Sequence, residues 1–367
     1  MLLPFRCNPD YGVGEDGFAV PTRTIDCIDP TDRSCPFFPD RLMTRICIVG
    51  AGAVGGYLGA RLALAGEAVN VLARGATLQA LQTAGLCLTE DGATHTLPVR
   101  ATHDAAALGE QDVVIVAVKA PALESVAAGI APLIGPGTCV VVAMNGVPWW
   151  FFDRPGPLQG QRLQAVDPHG RIAQAIPTRH VLGCVVHLTS ATVSPGHIRH
   201  GNGRQLILGE PAGGASPRLA SIAALFGRAG LQAECSEAIQ RDIWFKLWGN
   251  MTMNPVSVLT GATCDRILDD PLVSAFCLAV MVEAKAIGAR IGCPIEQSGE
   301  ARSAVTRQLG AFKTSMLQDA EAGRGPLEID ALVASVREIG RHVGVPTPQI
   351  DTLLGLVRLH AQTRGLY

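Results

Sequence analysis

Between residues 45 and 66 the chain reads RICIVGAGAVGGYLGARLALAG, and this stretch limits the possible folds more than any other. Residues 46–49 are an apolar run of strand length. Gly50, Gly52 and Gly55 then set a G-x-G-x-x-G spacing, and a helical pattern opens at Ala53 or Val54. In a strand–turn–helix unit each missing side chain has a physical reason: a tight turn, close approach of backbone to a pyrophosphate, and close packing of helix on strand. The helix would aim its free N–H groups and the positive end of its dipole at the phosphates. The pattern predicts an α/β Rossmann domain in which Gly50, Ala51, Gly52, Ala53, Val54 and Gly55 cradle a dinucleotide.

After this helix, residues 67–72 form a second strand pattern that ends at Ala73-Arg74-Gly75, with Arg74 22 residues beyond Gly52. A Rossmann unit chooses its cofactor at this position. An acidic side chain would accept from the ribose 2′-hydroxyl of NAD, whereas the Arg74 guanidinium offers a planar fork of donors to the 2′-phosphate of NADP. NADPH is the cofactor expected. Residues 86–99 alternate around Asp91-Gly92, which predicts a hairpin. Residues 113–118 and 138–143 are continuous apolar runs typical of central parallel strands, and they lead into Lys119 and Asn145. Ligands of open α/β sheets bind beyond the carboxyl ends of the strands. Lys119 therefore sits where a phosphate or carboxylate would be met, and Asn145 projects into the crevice an amide that both donates and accepts. The plainer alternatives are a solvated strand end for Lys119 and a turn residue before glycine for Asn145.

The aromatic run at 149–152 is expected to pack in a core. Residues 153–180 read as an irregular connection, 181–189, 198–200 and 205–208 as strands of an antiparallel extension, 217–229 as a helix and 231–235 as a last strand. His187, His197 and His200 lack ligand spacing and are expected at surface or structural positions. From 237 the pattern turns helical, over 237–259, 271–291, 296–321, 328–343 and 348–363. Strands first and helices afterwards argue for two domains with a cleft between them, a Rossmann domain at 43–236 and an all-α domain at 237–367. Residues 1–42 hold six prolines and no helical or strand period, and they read as a flexible tail. Met43, directly before the first strand, is a candidate start of synthesis.

Charge and cysteine usage exclude other classes. The formal net charge of -2 and the lack of a basic run give no general attraction to nucleic acid or to an anionic membrane. The 11 cysteines are scattered without a C-x-x-C pair, so neither a metal site nor a disulfide framework is expected, and a reducing cytoplasm fits. No stretch reads as a membrane span, since the apolar run at the loop holds five glycines between Gly50 and Ala60.

The most informative segment of the second half is RDIWFKLWGNMTMNPVSVLTG at 241–261. Ile243, Trp244, Leu247, Trp248 and Met251 recur at helical spacing and make an apolar stripe, which is a core face. Lys246, Asn250 and Asn254 follow at steps of four, each displaced about 40° around the axis, and line one polar strip. Pro255 disfavours helical geometry at Asn254, so a kink or break is expected there. A solvated face is the plainer account of the strip, but such a face would carry more Glu and Arg than two asparagines.

In this order and spacing GAGAVGG (50–56), the arginine after the second strand, VAVK (116–119), MNG (144–146), KLWGNMTMNP (246–255), SMLQD (315–319) and EID (328–330) make the chain resemble the ketopantoate reductase (2-dehydropantoate 2-reductase) family. The likeness runs from Met43 to the C-terminus. It implies a Rossmann N-terminal domain, an all-α C-terminal domain and NADPH-dependent reduction of a 2-oxo acid, in pantothenate biosynthesis when that acid is ketopantoate. By matching motif positions it further implies Lys246 as the catalytic lysine, Asn145, Asn250, Asn254, Ser315 and Glu328 as substrate-binding neighbours, and Lys119 and Asn145 as cofactor-binding residues, Lys119 close to the substrate too. A homodimer is carried as an expectation without a residue to support it. The chain departs from the family where Met144 replaces a glutamine, Leu327 a threonine and Val333-Ala334 an Asn-Gly pair; the loop before Glu328, with Gly325-Pro326, is one residue longer. These departures concern the substrate more than the reaction, so reduction of a different 2-oxo acid stays open, as does a dinucleotide-binding sensor without turnover.

Overall fold

The structure, a computed structural model, describes residues 44–367, and the tail expected at 1–42 lies outside the described residues. Ten strands form one sheet: β1 (Arg45–Val49), β2 (Ala68–Leu72), β3 (Leu86–Glu90), β4 (Ala93–Leu97), β5 (Arg100–Thr102), β6 (Gln111–Val116), β7 (Ile134–Val142), β8 (Val181–Ser194), β9 (His197–Gly209) and β10 (Gln232–Ser236). The run β5-β2-β1-β6-β7-β8 is parallel throughout, which is the Rossmann order. β9 returns antiparallel to β8, and both β3 and β10 pair with it in parallel. The apolar runs fill both faces of the sheet by strand alternation. Ile46, Ile48 and Ile115 face one core beneath the helix Ala53–Leu64; Cys47, Val49, Val114 and Val116 face the other beneath Leu123 and Ala127.

Several elements differ from the sequence expectation, each for a local reason. The helix Gly75–Ala84 was not anticipated, because it buries only Leu81 and carries no apolar stripe. The strands expected at 198–200 and 205–208 are one strand, β9, whose ladder to β8 shifts register around Gly201 and Gly203. The Asp91-Gly92 hairpin turn forms with φ of 50° and 81°, as a two-residue turn between twisted strands requires.

In the helical half, the helix expected at 296–321 is two, Gly299–Arg307 and Ser315–Glu321. Gly310 at φ 65° breaks the run, and Thr314 caps the second helix through its hydroxyl on Leu317 N. A further short helix, Cys264–Asp269, was not read from the sequence. Of the kink or break expected at Asn254, the break does not occur: the helix Ile239–Thr260 runs on with Pro255 inside it. Every residue from Met251 to Val258 is buried, and that packing holds the helix through a residue that alone would cost it about 3 kcal/mol.

This long helix joins the two cores. Ile239 at its start packs in the sheet core, while Trp244, Leu247, Trp248 and Met251 pack in the helical core with the helices Pro271–Arg290 and Pro348–Thr363. The aromatic run divides likewise, Trp149 and Trp150 toward the sheet, Phe151 and Phe152 toward the helices, and all four are buried. Pro271–Arg290, with mean hydropathy 1.8, is the one helix among the described residues long and apolar enough to cross a membrane by length and composition. Its Cys277, Val280, Met281, Ala284 and Ile287 are buried in the helical core.

Candidate active site

The glycine loop leaves β1 at the carboxyl edge of the sheet. Gly50 takes φ 94°, and a Cβ there would stand 2.5 Å from Val118 Cγ1 and 3.1 Å from Ala117 O. A Cβ at Gly55 would stand 2.1 Å from Gly50 O, so the helix can sit this close to the strand only without a side chain. At Gly52 a Cβ would meet nothing within 4 Å. The first and third glycines thus answer to the protein's own packing, while the second faces open space, as a cradle for a pyrophosphate requires. The helix behind the loop is tied down by β3: Tyr57 donates to Glu90 Oε1 at 2.8 Å and Arg61 to Glu90 Oε2 at 2.7 Å. Burial would raise the Glu90 carboxyl, but those bonds and the charges of Arg61 and Arg204 hold it below its ordinary value. Arg74, exposed just past β2, makes no ion pair among the described residues. The loop and Arg74 fit a dinucleotide carrying a 2′-phosphate.

Beyond β6 and β7 the parallel register brings Lys119 and Asn145 to the same edge. From the opposite side, Lys246 reaches in from the long helix. Its Nζ donates to Asn145 Oδ1 at 3.0 Å and to Val186 O at 2.6 Å. Burial brings the ammonium down to about 8, against the pull of Glu328. Asn145 is fixed in turn by Gly146, at φ 87°, where a Cβ would stand 2.7 Å from Ala331 O; the next residue, Val147, donates its N–H to that same oxygen at 3.0 Å. Ala331 belongs to a π-helical turn, Asp330–Ala334, and Glu328 lies just before it. π-turns concentrate at functional sites.

Glu328 accepts from Ala120 N at 3.2 Å. Burial raises its carboxyl above the ordinary value, with the Ala120 bond and the charges of Lys119 and Lys246 opposing. Lys119 is ion-paired with Asp319 on the helix Ser315–Glu321, which pins the two domains together beside Glu328. Asn145, Lys246, Glu328 and Lys119 therefore converge on one cleft. Asn250 is partly buried and Asn254 is buried on the same helix; among the described residues their side chains make no hydrogen bond, so both amides remain available to a ligand. Ser315 is exposed at the start of its helix and touches none of the others by a hydrogen bond.

Three residues here were not singled out from the sequence as part of a site. His187 follows Val186 on β8, and burial with the nearby charges of Lys246 and Arg302 lowers its imidazole to about 4. It is therefore neutral near pH 7, whereas His197 bonds Thr89 and His200 stacks on Tyr57, both in structural positions. Cys184 is buried beside Lys246, and burial raises its thiol to about 12. Asp319 was visible only as part of the SMLQD motif. No spacing rule links these residues to Lys246, which lies roughly 60 residues beyond β8 in the chain and meets it only through the fold.

A cavity of about 790 Å³ opens beside this cleft, with Asn145, Glu328 and Cys184 in its wall. It continues between the sheet edge and the π-turn toward the helices Ser335–His342 and Pro348–Thr363.

The chain matches the ketopantoate reductase PanE/ApbA family over residues 46–213 and the C-terminal family of ketopantoate reductase PanE/ApbA over 238–361. It is 48% identical over 325 residues to the 2-dehydropantoate 2-reductase of Mesorhizobium japonicum, spanning 88% of this chain and 99% of that one. Among solved structures, a Ralstonia solanacearum MolK2 protein named provisionally as a ketopantoate reductase superposes with a TM-score of 0.87 at 96% identity, over 89% of this chain and all of the other. The ternary structure of a D-mandelate dehydrogenase superposes with a TM-score of 0.76 at 21% identity, over 87% and 99% of the two chains; at that identity the likeness shows the fold alone.

Proposed function

Because the chain belongs to the ketopantoate reductase family, we propose that it catalyses the NADPH-dependent reduction of 2-dehydropantoate (ketopantoate) to pantoate, with Lys246 as the general acid. The observation that carries this reading is the Lys246 ammonium, held by Asn145 Oδ1 and Val186 O at the cleft and brought down to about 8. NADPH, when bound, supplies the hydride. Gly50, Gly52 and Gly55 would receive its pyrophosphate and Arg74 its 2′-phosphate. As the carbonyl carbon of the substrate is reduced, negative charge grows on its oxygen. Lys246 stabilises that charge and delivers the proton, and a donor with pKa near the working pH does so efficiently. Asn145 holds the ammonium in register. Asn250, Asn254 and Ser315 offer neutral donors to the carboxylate and keto oxygen, and Glu328 accepts from the substrate hydroxyl. Lys119 adds positive charge near Glu328 and the cofactor.

In this reading residues 43–236 bind the nucleotide and residues 237–367 complete the substrate site. We further expect a cytoplasmic location, in keeping with 11 cysteines scattered without a C-x-x-C pair, and a homodimer. The test is loss of NADPH absorbance with purified full-length chain and ketopantoate. Turnover is expected, and Lys246→Ala should lower it about 10³-fold while NADPH still binds. Binding of NADPH without oxidation by any 2-oxo acid would instead leave a nucleotide sensor. Met144, Leu327 and Val333-Ala334, where the family pattern is polar or glycine, favour a second reading in which another 2-oxo acid is also reduced.

A further inference from the structure

We propose that this enzyme also reduces 2-oxo acids whose substituent is a bulky apolar group, and that the cavity beside Asn145 and Glu328 houses that substituent. The inference rests on the reading of the cleft as a 2-oxo acid reductase site. Three observations carry it. The cavity, at about 790 Å³, lies within the range of small-molecule sites of roughly 300–1,000 Å³ and far exceeds what a six-carbon acid fills. It begins at Asn145, the residue that holds the Lys246 ammonium at 3.0 Å, so a carbonyl within reach of Lys246 can send its substituent into the cavity.

The second observation is the chemistry of one cavity wall. Met144, Leu327 and Ala334 all line this one cavity, and Val333, next to Ala334, is fully buried in the adjoining core. This wall is apolar, and Trp149, Trp150 and Ile243 line it as well. Such a wall desolvates an apolar arm at little cost and penalises a hydroxyl that finds no partner there.

The third observation is that most charged groups at the far end are already engaged: Arg337 with Asp351 at 2.6 Å, Arg358 with Asp330 at 3.3 Å, and Glu338 with the N–H groups of Gln164 and Ala165 at 2.7 and 2.9 Å, while Arg341 there is exposed to solvent. The chemical step is unchanged. Hydride adds to the carbonyl carbon, the C=O π-bond breaks, the oxygen takes a proton, and a 2-hydroxy acid forms.

The experiment compares ketopantoate, pyruvate, 4-methyl-2-oxopentanoate and phenylpyruvate as substrates of the full chain, alongside binding of 4-methyl-2-oxopentanoate followed by intrinsic tryptophan fluorescence. We expect kcat/KM for the two bulky acids to equal or exceed that for ketopantoate and to exceed that for pyruvate at least about tenfold, with saturable quenching by 4-methyl-2-oxopentanoate. Ala334→Phe should lower the bulky-to-ketopantoate ratio about tenfold. Met144→Gln, which conserves volume, should shift the ratio the same way and covers a failure of the larger substitution to fold. Ketopantoate turnover with the bulky acids below about one hundredth of its kcat/KM would overturn the inference and leave the functional reading intact. Binding of NADPH with no acid reduced would overturn both.

Discussion

The two ends of the cleft are built in opposite ways. The nucleotide end is one contiguous strand–turn–helix made of backbone, in which Gly50 and Gly55 answer to atoms 2.1–3.3 Å away and Gly52 faces open space. The reaction end is made of side chains from the loop after β7, the loop before the π-turn and the long helix, with Asn145 and Lys246 lying 101 residues apart in sequence yet 3.0 Å apart in space. A backbone site is local and nearly independent of the rest of the fold. A side-chain site is only as good as the packing that delivers each group, here the wedge of Gly146 against Ala331 and the unbroken helix through Pro255.

That contrast breaks most sharply at Lys246. Lys246→Ala should lower kcat by about 10³-fold, within the range for loss of a general acid that also stabilises an oxyanion, while the Kd for NADPH changes less than about threefold. Stopped turnover together with lost NADPH binding would show that the two ends are not separable. The glycines give the next largest effects. Gly55→Ala forces a Cβ to 2.1 Å from Gly50 O, and we expect NADPH affinity to fall about 100-fold with a loss of roughly 1–3 kcal/mol of stability. Gly52→Ala has space for its methyl group in the protein. It should melt normally and still lose about tenfold in NADPH affinity, as close backbone approach to the pyrophosphate requires. Equal effects of the two substitutions on melting and on binding, measured by thermal denaturation and NADPH fluorescence, would refute the separate roles assigned to them.

What was legible in the sequence follows the same division. The loop, the parallel strands and the Asp91-Gly92 hairpin could be read because each is a local pattern with its own steric cause. The strip Lys246, Asn250 and Asn254 could be read because helical spacing is also local. Glu328 and Ser315 came from family likeness alone, and nothing in their spacing connects them to Lys246. His187 and Cys184 were passed over because they enter through β8, where alternation says which face a residue takes but not what meets that face. A helix break at Pro255 follows from a local rule and is overridden by burial of the whole segment from Met251 to Val258. Local rules fail where tertiary packing outweighs them, and the reaction end is such a place.

Cofactor choice and pH response are intermediate tests. Arg74→Glu should raise KM for NADPH by about 30-fold and leave KM for NADH within about twofold, since only the 2′-phosphate meets the guanidinium. An equal effect on both would remove Arg74 from cofactor selection. With Lys246 at about 8, the protonated acid is lost as pH rises, so kcat should be level below pH 8 and fall about tenfold per unit above it. The same depression has a sign for stability. The fold binds this proton less tightly than the unfolded chain, so the charged lysine costs stability below about pH 8, and that cost fades between 8 and the ordinary value of 10.5. Lys246→Met should therefore melt no lower than the parent at pH 7, and a gain in melting temperature should disappear as pH approaches 10.5.

The smallest effect is expected where the two ends are merely pinned together. Lys119 pairs with Asp319 across the domains, and Asp319 also accepts from Arg324 Nε at 3.1 Å. The Lys119 side chain is 43% exposed, so solvent screens the pair and its removal should cost no more than about 1 kcal/mol. Asp319→Asn keeps the shape of the side chain and removes its charge. Lys119 is then freed toward Glu328, whose raised carboxyl owes part of its shift to Asp319 and is opposed by Lys119. The carboxyl should move down, favouring the ionised acceptor that the substrate hydroxyl needs, while the cross-domain pin is lost. The two consequences oppose each other, so kcat/KM should change less than about threefold and the difference should shrink further in salt. A loss of tenfold or more, with NADPH affinity unchanged, would mean that the ion pair holds the reaction end in register and that the cleft depends on domain closure as much as on the packing of Asn145.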